Sequence, residues 1–331
     1  MLRVEKYKNI QKLEKIWIEM QGENSNLDAM AEYEFVKMFR SGISNKIKAL
    51  IKPSKGGDSF YCVFDDDTPI LILAAAVKDD CIGSVYTLDF FDVVTTKEID
   101  ERLVYDALLE ISKTEQKPIV LRNLKEGKNT HSKLEKFVKF EDDSDCVKIE
   151  YTRDYDAYYS SLSKHARQNL RTAYNRLKTD GLEYRFEFTD GKTDKKLASK
   201  LKNLYLNRRA KKYSNMDFLK KLIYKIDEPI SKVCFNLENS FSAVLYIDNQ
   251  IACYMAGVIK NGEVLVPRLA IDDKFSRYSV GVILVNETIK TLIDKNIFTL
   301  DLATGAEVYK TQMGGTLYHT LKCKIDSNKN P

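Results

Sequence analysis

A chain of 331 residues, 44% hydrophobic and 31% charged, has room for two soluble domains of ordinary size. A formal charge of +5 is too small to indicate nucleic acid, and the longest apolar run, PILILAAAV at 69–77, is strand-sized and far short of a membrane span. The charge is uneven: residues 1–150 hold 23 Lys/Arg against 28 Asp/Glu and residues 151–331 hold 30 against 20, which makes the second half the better seat for an anionic ligand.

The opening run MLRVEKYKNIQKLEKIW has no uninterrupted apolar core, so no secretory leader is expected and a cytoplasmic protein is the default. Apolar positions three and four apart predict helices at 10–20 and 27–39. Strands are expected at 46–52, 59–66 and 68–77, with Gly56-Gly57 and the acidic cluster Asp65 to Asp67 between them. A helix follows at 96–113, with Thr95 or Thr96 as its cap, then a strand at 118–124, a helix at 131–140 and a strand at 145–152. The second half begins with helix. Leu162, Ala166, Leu170, Ala173 and Leu177 form one stripe along 156–181, and Gly181 ends it. A strand at 182–189, helices at 194–212 and 216–226, and strands at 231–237, 241–248, 250–259 and 263–271 come next. A helix at 281–295, a strand at 296–302 and a last strand at 317–325 complete the series. Each half thus offers helices, an antiparallel meander, then helix and strand. Two similar α/β modules are expected, over 1–152 and 153–326, with a frayed tail at 327–331.

Cys62, Cys81, Cys146, Cys234, Cys253 and Cys323 lie far apart without a C-x-x-C, which reads as buried thiols and neither a disulfide frame nor a metal site. His131, His165 and His319 have no spacing that suggests a metal or a triad, so surface or cap roles are expected. Helix 157–180 carries Lys164, Arg167, Arg171 and Lys178 away from its apolar stripe. A second cluster, Arg208, Arg209, Lys211 and Lys212, ends the next helix. Either set is a solvated face or a grip for phosphates, for which the planar arginine fork is suited. At 263–295 a strand ends near Ile271, a loop carries Arg277, and Ser279-Val280-Gly281 opens a helix. That corner is either an ordinary serine cap or an anion site built on free N–H groups. The segment DLATGAEVYK at 301–310 brings Asp301, Glu307, Tyr309 and Lys310 together after a turn at Gly305.

Taken in order, SLSKHARQNLRTAYNRLKTDGLEYRFE, LYLNRRAKKY, FSAVLYIDNQIACYMAGVI, YSVGVILVNETI and TLDLATGAEVYK resemble the GNAT-fold acetyltransferases typified by the CelD cellulose-biosynthesis proteins, relatives of the FemA/FemB/FemX peptidoglycan transferases. Ser279-Val280-Gly281 departs from the family's S-P-G, while Gly305, Glu307, Tyr309 and Lys310 keep its G-x-E-x-Y-K ending. The resemblance implies two tandem GNAT-like modules with mixed, mainly antiparallel sheets flanked by helices, the N-terminal one degenerate. It implies an acyl-CoA donor, acetyl in the first instance, lying along Leu269, Ala270 and Ile271 with its pyrophosphate at Arg277, Ser279, Val280, Gly281 and Val282, and no metal. Lys310, Tyr309, Glu307 and Asp301 become the catalytic candidates. Arg167, Arg171, Arg208, Asp89 and Asp92 become candidates for a sugar- or peptidoglycan-type amine acceptor, nucleotide-linked or not, in a groove between modules. A Fem-like reading replaces the donor by aminoacyl-tRNA. A non-catalytic reading leaves a binding module for polysaccharide assembly.

Overall fold

The computed structural model describes residues 1–41, 58–84, 89–212 and 228–327. The strand expected at 46–52, the helix expected at 216–226, most of the tail at 327–331 and the side chains of Lys211 and Lys212 lie outside the described residues. The chain forms two units, Met1–Ser144 with His319–Pro331, and Asp145–Tyr318.

In the first unit β1 (Leu2–Tyr7), β2 (Asp58–Asp65) and β3 (Thr68–Val77) make an antiparallel meander, with α1 (Glu14–Gly22) and α2 (Tyr33–Arg40) between β1 and β2. After β4 (Ile82–Ser84) and the two-residue β5 (Val94–Thr95), helix α3 spans Glu101–Glu115. Its cap is Asp100, whose carboxylate accepts from Leu103 N at 3.0 Å, and not Thr95 or Thr96; Thr95 lies in β5 with its hydroxyl spent on Thr96 O. Then come β6 (Ile119–Leu124), parallel to β4, and the short α4 (Asn129–Leu134). Val104, Ala107, Leu108 and Ile111 of α3 enter the same core as Leu71, Leu73, Leu121, Cys323 and Ile325.

That last pair shows where the division differs from the sequence expectation. The C-terminal strand β13 (Thr316–Ile325) pairs antiparallel with β6, Cys323 facing Leu121 and Ile325 facing Ile119. The expected module 153–326 therefore gives up its end to the first unit, and the earlier cut falls at 144/145, inside β7 (Glu141–Glu150).

In the second unit the strand order is β7, β12 (Thr299–Thr304), β11 (Glu263–Ile271), β10 (Gln250–Lys260), β9 (Ser240–Ile247) and β8 (Tyr184–Asp190). All eight residues of β9, which lies between β10 and the edge strand β8, are buried. One sheet face carries α6 (Lys164–Thr179) and α9 (Val280–Asp294): Ala166, Leu170, Ala173 and Leu177 pack with Ile283, Leu284, Ile289 and Leu292. The expected helix across 156–181 is two helices, α5 (Tyr155–Ser161) and α6. Leu162 turns extended between them, and Ser163 caps α6 by accepting from Ala166 N at 3.1 Å. Segment 231–237, expected as a strand, belongs to helix α8 (Pro229–Asn236), because Glu228 caps it and Pro229 opens it. Helix α7 spans Lys195–Lys212, and α10 is the single turn Val308–Gln312. All six cysteines are buried, and none forms a disulfide. No helix among the described residues is long and apolar enough to cross a membrane.

Candidate active site

Strands β11 and β12 start as a parallel pair, Glu263 with Thr299, Val264 with Leu300 and Leu265 with Asp301, and the ladder ends there. Beyond it β11 stays with β10, Arg268 facing Ala256 and Ile271 facing Cys253, while β12 stays with β7, Thr304 facing Cys146. Pro267 stands two residues past the last pair. A proline has no N–H for a ladder, so an interior strand holds one only where pairing stops or bulges. Gly257 sits at the matching shift of β10, where a Cβ would lie 1.7 Å from the Leu265 carbonyl oxygen. Only glycine fits there. Together these residues leave a wedge between β11 and β12.

The N-terminus of α9 stands at the head of the wedge. Ser279 is left-handed, φ +53° and ψ +41°, and its side chain makes no capping bond, so the ordinary-cap reading fails. Val280, Gly281 and Val282 are buried. A Cβ on Gly281 would meet Ile271 Cδ1 at 2.9 Å and Tyr309 Cδ2 at 3.9 Å, so the glycine is where β11, α9 and α10 converge. Leu269 and Ile271 are partly buried against the core below. Cys253 donates to Val280 O at 3.3 Å, and burial holds its thiol far above the usual range, which leaves it unreactive.

Of the four catalytic candidates, Tyr309 lies beside Gly281, Glu307 pairs with Lys310, and Lys310 and Asp301 are taken up by the fold itself. Burial, reinforced by the Glu307 charge, raises the Tyr309 phenol against the opposing Arg208 charge, so Tyr309 is a protonated donor near Gly281. Burial also pushes Glu307 upward, but the Lys310 charge and hydrogen bond outweigh it and hold the carboxyl below its ordinary value. Lys310 itself is buried: its Nζ donates to Leu302 O at 2.9 Å, Thr304 O at 3.1 Å and Gly305 O at 2.8 Å, and lies 2.9 Å from Glu307 Oε2. Asp301 is wholly buried and fastens its own strand, accepting from Ala303 N at 2.8 Å and from Tyr318 Oη at 2.6 Å. Neither Lys310 nor Asp301 presents a free group to a reacting atom.

The binding candidates also divide. Arg277 pairs with Asp180 and stacks on Tyr278, tying its loop to the end of α6, so its charge is not turned on the α9 tip. Arg167 donates to Ser160 O at 2.7 Å and Leu162 O at 2.8 Å, capping α5. Arg171 is exposed with no bonded partner among the described residues, and Lys164 and Lys178 are equally exposed. Arg208 is half-buried, and its charge acts on both Glu307 and Tyr309. In the first unit Asp92 is 4% exposed; it accepts from Thr130 N at 2.7 Å, Val93 N at 3.1 Å, Asp28 N at 3.0 Å and the Thr130 hydroxyl. Burial pushes it up to about 6 against those bonds. Asp92 therefore fastens α4 and does not face an acceptor. Asp89 is partly buried and also engaged within the fold.

Sequence reasoning passed over four residues at this site. Pro267 was visible as a proline inside an apolar strand, and Gly257 as a glycine inside another. Arg268 and Glu228 form a buried fork, Nη2 to Oε1 at 2.5 Å and Nε to Oε2 at 3.3 Å, beneath the diverging part of β11. The Glu-Pro step that starts α8 was the only local trace of that pair.

Residues 164–311 match the family profile described as Acetyltransferase (GNAT) domain. No curated protein matches the chain. Among solved structures, a conserved protein of unknown function from Bacteroides thetaiotaomicron is similar at 13% identity and a TM-score of 0.60, over 98% of this chain and 99% of that one. FemX is similar at 10% identity and a TM-score of 0.54, over 97% and 96%. L-PGS from Bacillus licheniformis is similar at 10% identity and a TM-score of 0.52, over 86% and 92%. At such identities these likenesses speak for the fold alone. The wedge, the helix tip at its head and the matched profile coincide in one stretch of chain: residues 164–311, a little under half of the protein, are similar to a GNAT acetyltransferase domain.

Proposed function

We propose that the second unit moves an acyl group, acetyl in the first instance, from acyl-CoA to an amine on a sugar- or peptidoglycan-type cell-envelope precursor, in the manner of CelD-type proteins. The observation that supports this most is the ladder that stops after Leu265 beside a glycine-tipped helix. A thioester arm laid in the wedge extends the sheet beside Leu269, Ala270 and Ile271, where β11 has lost its β12 partner. The first N–H groups of α9, at Val280 and Gly281, suit a diphosphate once the end of the Ile271 side chain rotates off Gly281, while that of Val282 donates to Ser279 O at 2.9 Å. Gly281 fits this role because any side chain there would close the approach.

The chemistry needs no covalent enzyme intermediate. A neutral amine attacks the thioester carbonyl, the C–N bond forms, and the C–S bond breaks to release thiolate. Glu307, held ionised by Lys310, accepts the proton shed by nitrogen, directly or through water. Tyr309 gives its phenolic proton to sulfur. Exchange with solvent restores both groups. Arg208, between these two in charge and without an ion pair among the described residues, suits an anionic group on the acceptor, and exposed Arg171 suits a more distant phosphate.

The test is mass-shift transfer from acetyl-CoA to a panel of amino sugars and amino-sugar nucleotides, with aminoacyl-tRNA as a rival donor. Transfer from acyl-CoA supports the reading. Transfer from aminoacyl-tRNA alone moves the assignment to a Fem-like donor, and absence of transfer across all donors and acceptors removes it.

A further inference from the structure

We propose that Lys310 is a positioning residue whose ammonium takes the place of a missing strand, fastening β12 so that the wedge beside it stays open. The argument rests on comparing the two units residue by residue. In the first, β4 and β6 pair in parallel at Ile82 with Ile119 and Gly83 with Val120; in the second, Glu263 pairs with Thr299 and Val264 with Leu300. That register matches Leu121 to Asp301. The antiparallel neighbours agree: Leu121 faces Cys323 and Leu124 faces Leu321 across an irregularity, as Asp301 faces Lys148 and Thr304 faces Cys146 across another. Inside each irregularity one non-glycine residue is left-handed, Asn123 at φ +57° and Ala303 at φ +52°. The two strands are the same device.

They differ in what meets them next. In the first unit the chain returns to close the gap: Phe91 N donates to Asn123 O at 2.9 Å, Phe91 bridges in parallel to Leu124, and Asp92 then seals onto α4. Among the described residues of the second unit no strand bridges β12 in that way, and the carbonyls of Leu302, Thr304 and Gly305 converge on Lys310 Nζ instead. A side chain occupies one point where a strand would fill the whole gap, so the carbonyls are satisfied and the wedge is kept. An ammonium has three N–H donors. Three carbonyls and the Glu307 carboxylate surround this one, so none of its protons is left for a substrate. Lys310 acts through β12 and through Glu307.

The activity arm of the test rests on the transferase reading; the spectroscopic arm does not. In the full chain labelled with ¹⁵N-lysine, the Lys310 ammonium should give a signal at neutral pH with proton exchange at least about tenfold slower than exposed lysines, assigned by its loss in Lys310→Arg. Exchange as fast as that of exposed lysines overturns the proposal. Lys310→Met should raise the CoA Kd about tenfold or more and the acetyl-CoA KM with it, with faster amide exchange over 302–305 and an acidic pH–rate limb moved upward as Glu307 loses the neighbouring charge. Lys310→Arg should recover part of the affinity. A fall in kcat with CoA affinity and amide exchange over 302–305 both intact would make Lys310 a catalyst and sink the proposal. Where Lys310→Met does not fold, the wild-type ammonium signal decides. Failure of the wild-type chain to bind CoA overturns the transferase reading, and the ammonium signal then decides the role of Lys310 separately.

Discussion

Replacing Glu228 with Gln should destabilise the second unit by ~3–5 kcal/mol, the cost of stripping one member from a buried charge pair. The size follows from the surroundings. The Glu228 and Arg268 side chains are 3% and 8% exposed, and the fork between them is bidentate. Glu228 Oε2 also caps α8 through Ser231 N at 2.6 Å, and Arg268 Nη1 reaches Pro267 O at 2.6 Å. Nearby Tyr254 is wholly buried with its hydroxyl unbonded, so it supplies no replacement charge. Gln keeps the shape and removes the charge, leaving the guanidinium desolvated without its carboxylate. For a domain of this size that loss corresponds to about 6–20 °C in Tm. Urea unfolding followed by circular dichroism measures it. The paired change Glu228→Leu with Arg268→Met should recover most of the deficit, because burying two apolar chains carries no desolvation cost. Burial raises the Glu228 carboxyl, yet the Arg268 charge and the hydrogen bonds leave it below its ordinary value. The pair's contribution is thus complete above the unfolded carboxylate range of about 4.3 and is lost as pH falls through the lower folded value. A single variant within about 0.5 kcal/mol of wild type, or a double variant as unstable as the sum of its parts, refutes this reasoning.

Other substitutions probe separate links. Gly281→Leu should abolish CoA binding in calorimetry while the melting curve stays cooperative, since its side chain enters the space between Ile271 and Tyr309. Tyr309→Phe should lower kcat about 10²–10⁴-fold with little change in acetyl-CoA KM, as expected for loss of a proton donor to the leaving thiolate. Leu170→Ala, in the α6 stripe, should cost ~2–5 kcal/mol in denaturant titration and leave CoA affinity unchanged below the transition. Gly257→Ala should prevent the second unit from folding, because the 1.7 Å approach is to backbone that cannot step aside.

Local pattern carried much of this fold. The stripe from Ala166 to Leu177, the apolar helix from Val280 and the strands around Tyr254 all follow from side-chain period and burial. Cysteine spacing likewise pointed to six buried thiols. What local pattern could not carry was pairing at long range. Nothing within 317–325 announces that Cys323 will face Leu121, two hundred residues earlier in order of magnitude. Apolar alternation at 231–237 suited a strand until Glu228 and Pro229 are weighed as a cap and a first helical turn. Ser163 likewise starts a helix inside what period alone reads as one continuous helix. At the site, Tyr309 lies beside Gly281 and Glu307 pairs with Lys310, but residue type could not separate either from Lys310 and Asp301. A lysine that binds three carbonyls and a lysine that meets a substrate have the same one-letter code. Asp92 shows the same ambiguity, for its carboxylate is consumed by Thr130, Val93 and Asp28.

The most direct measurement is calorimetric titration of CoA into the full chain, repeated with Gly281→Leu. One site per chain, lost in the variant, is required if the second unit's wedge receives the donor and the first unit's gap is closed by Phe91. Two sites, or one site untouched by the leucine, would contradict that assignment.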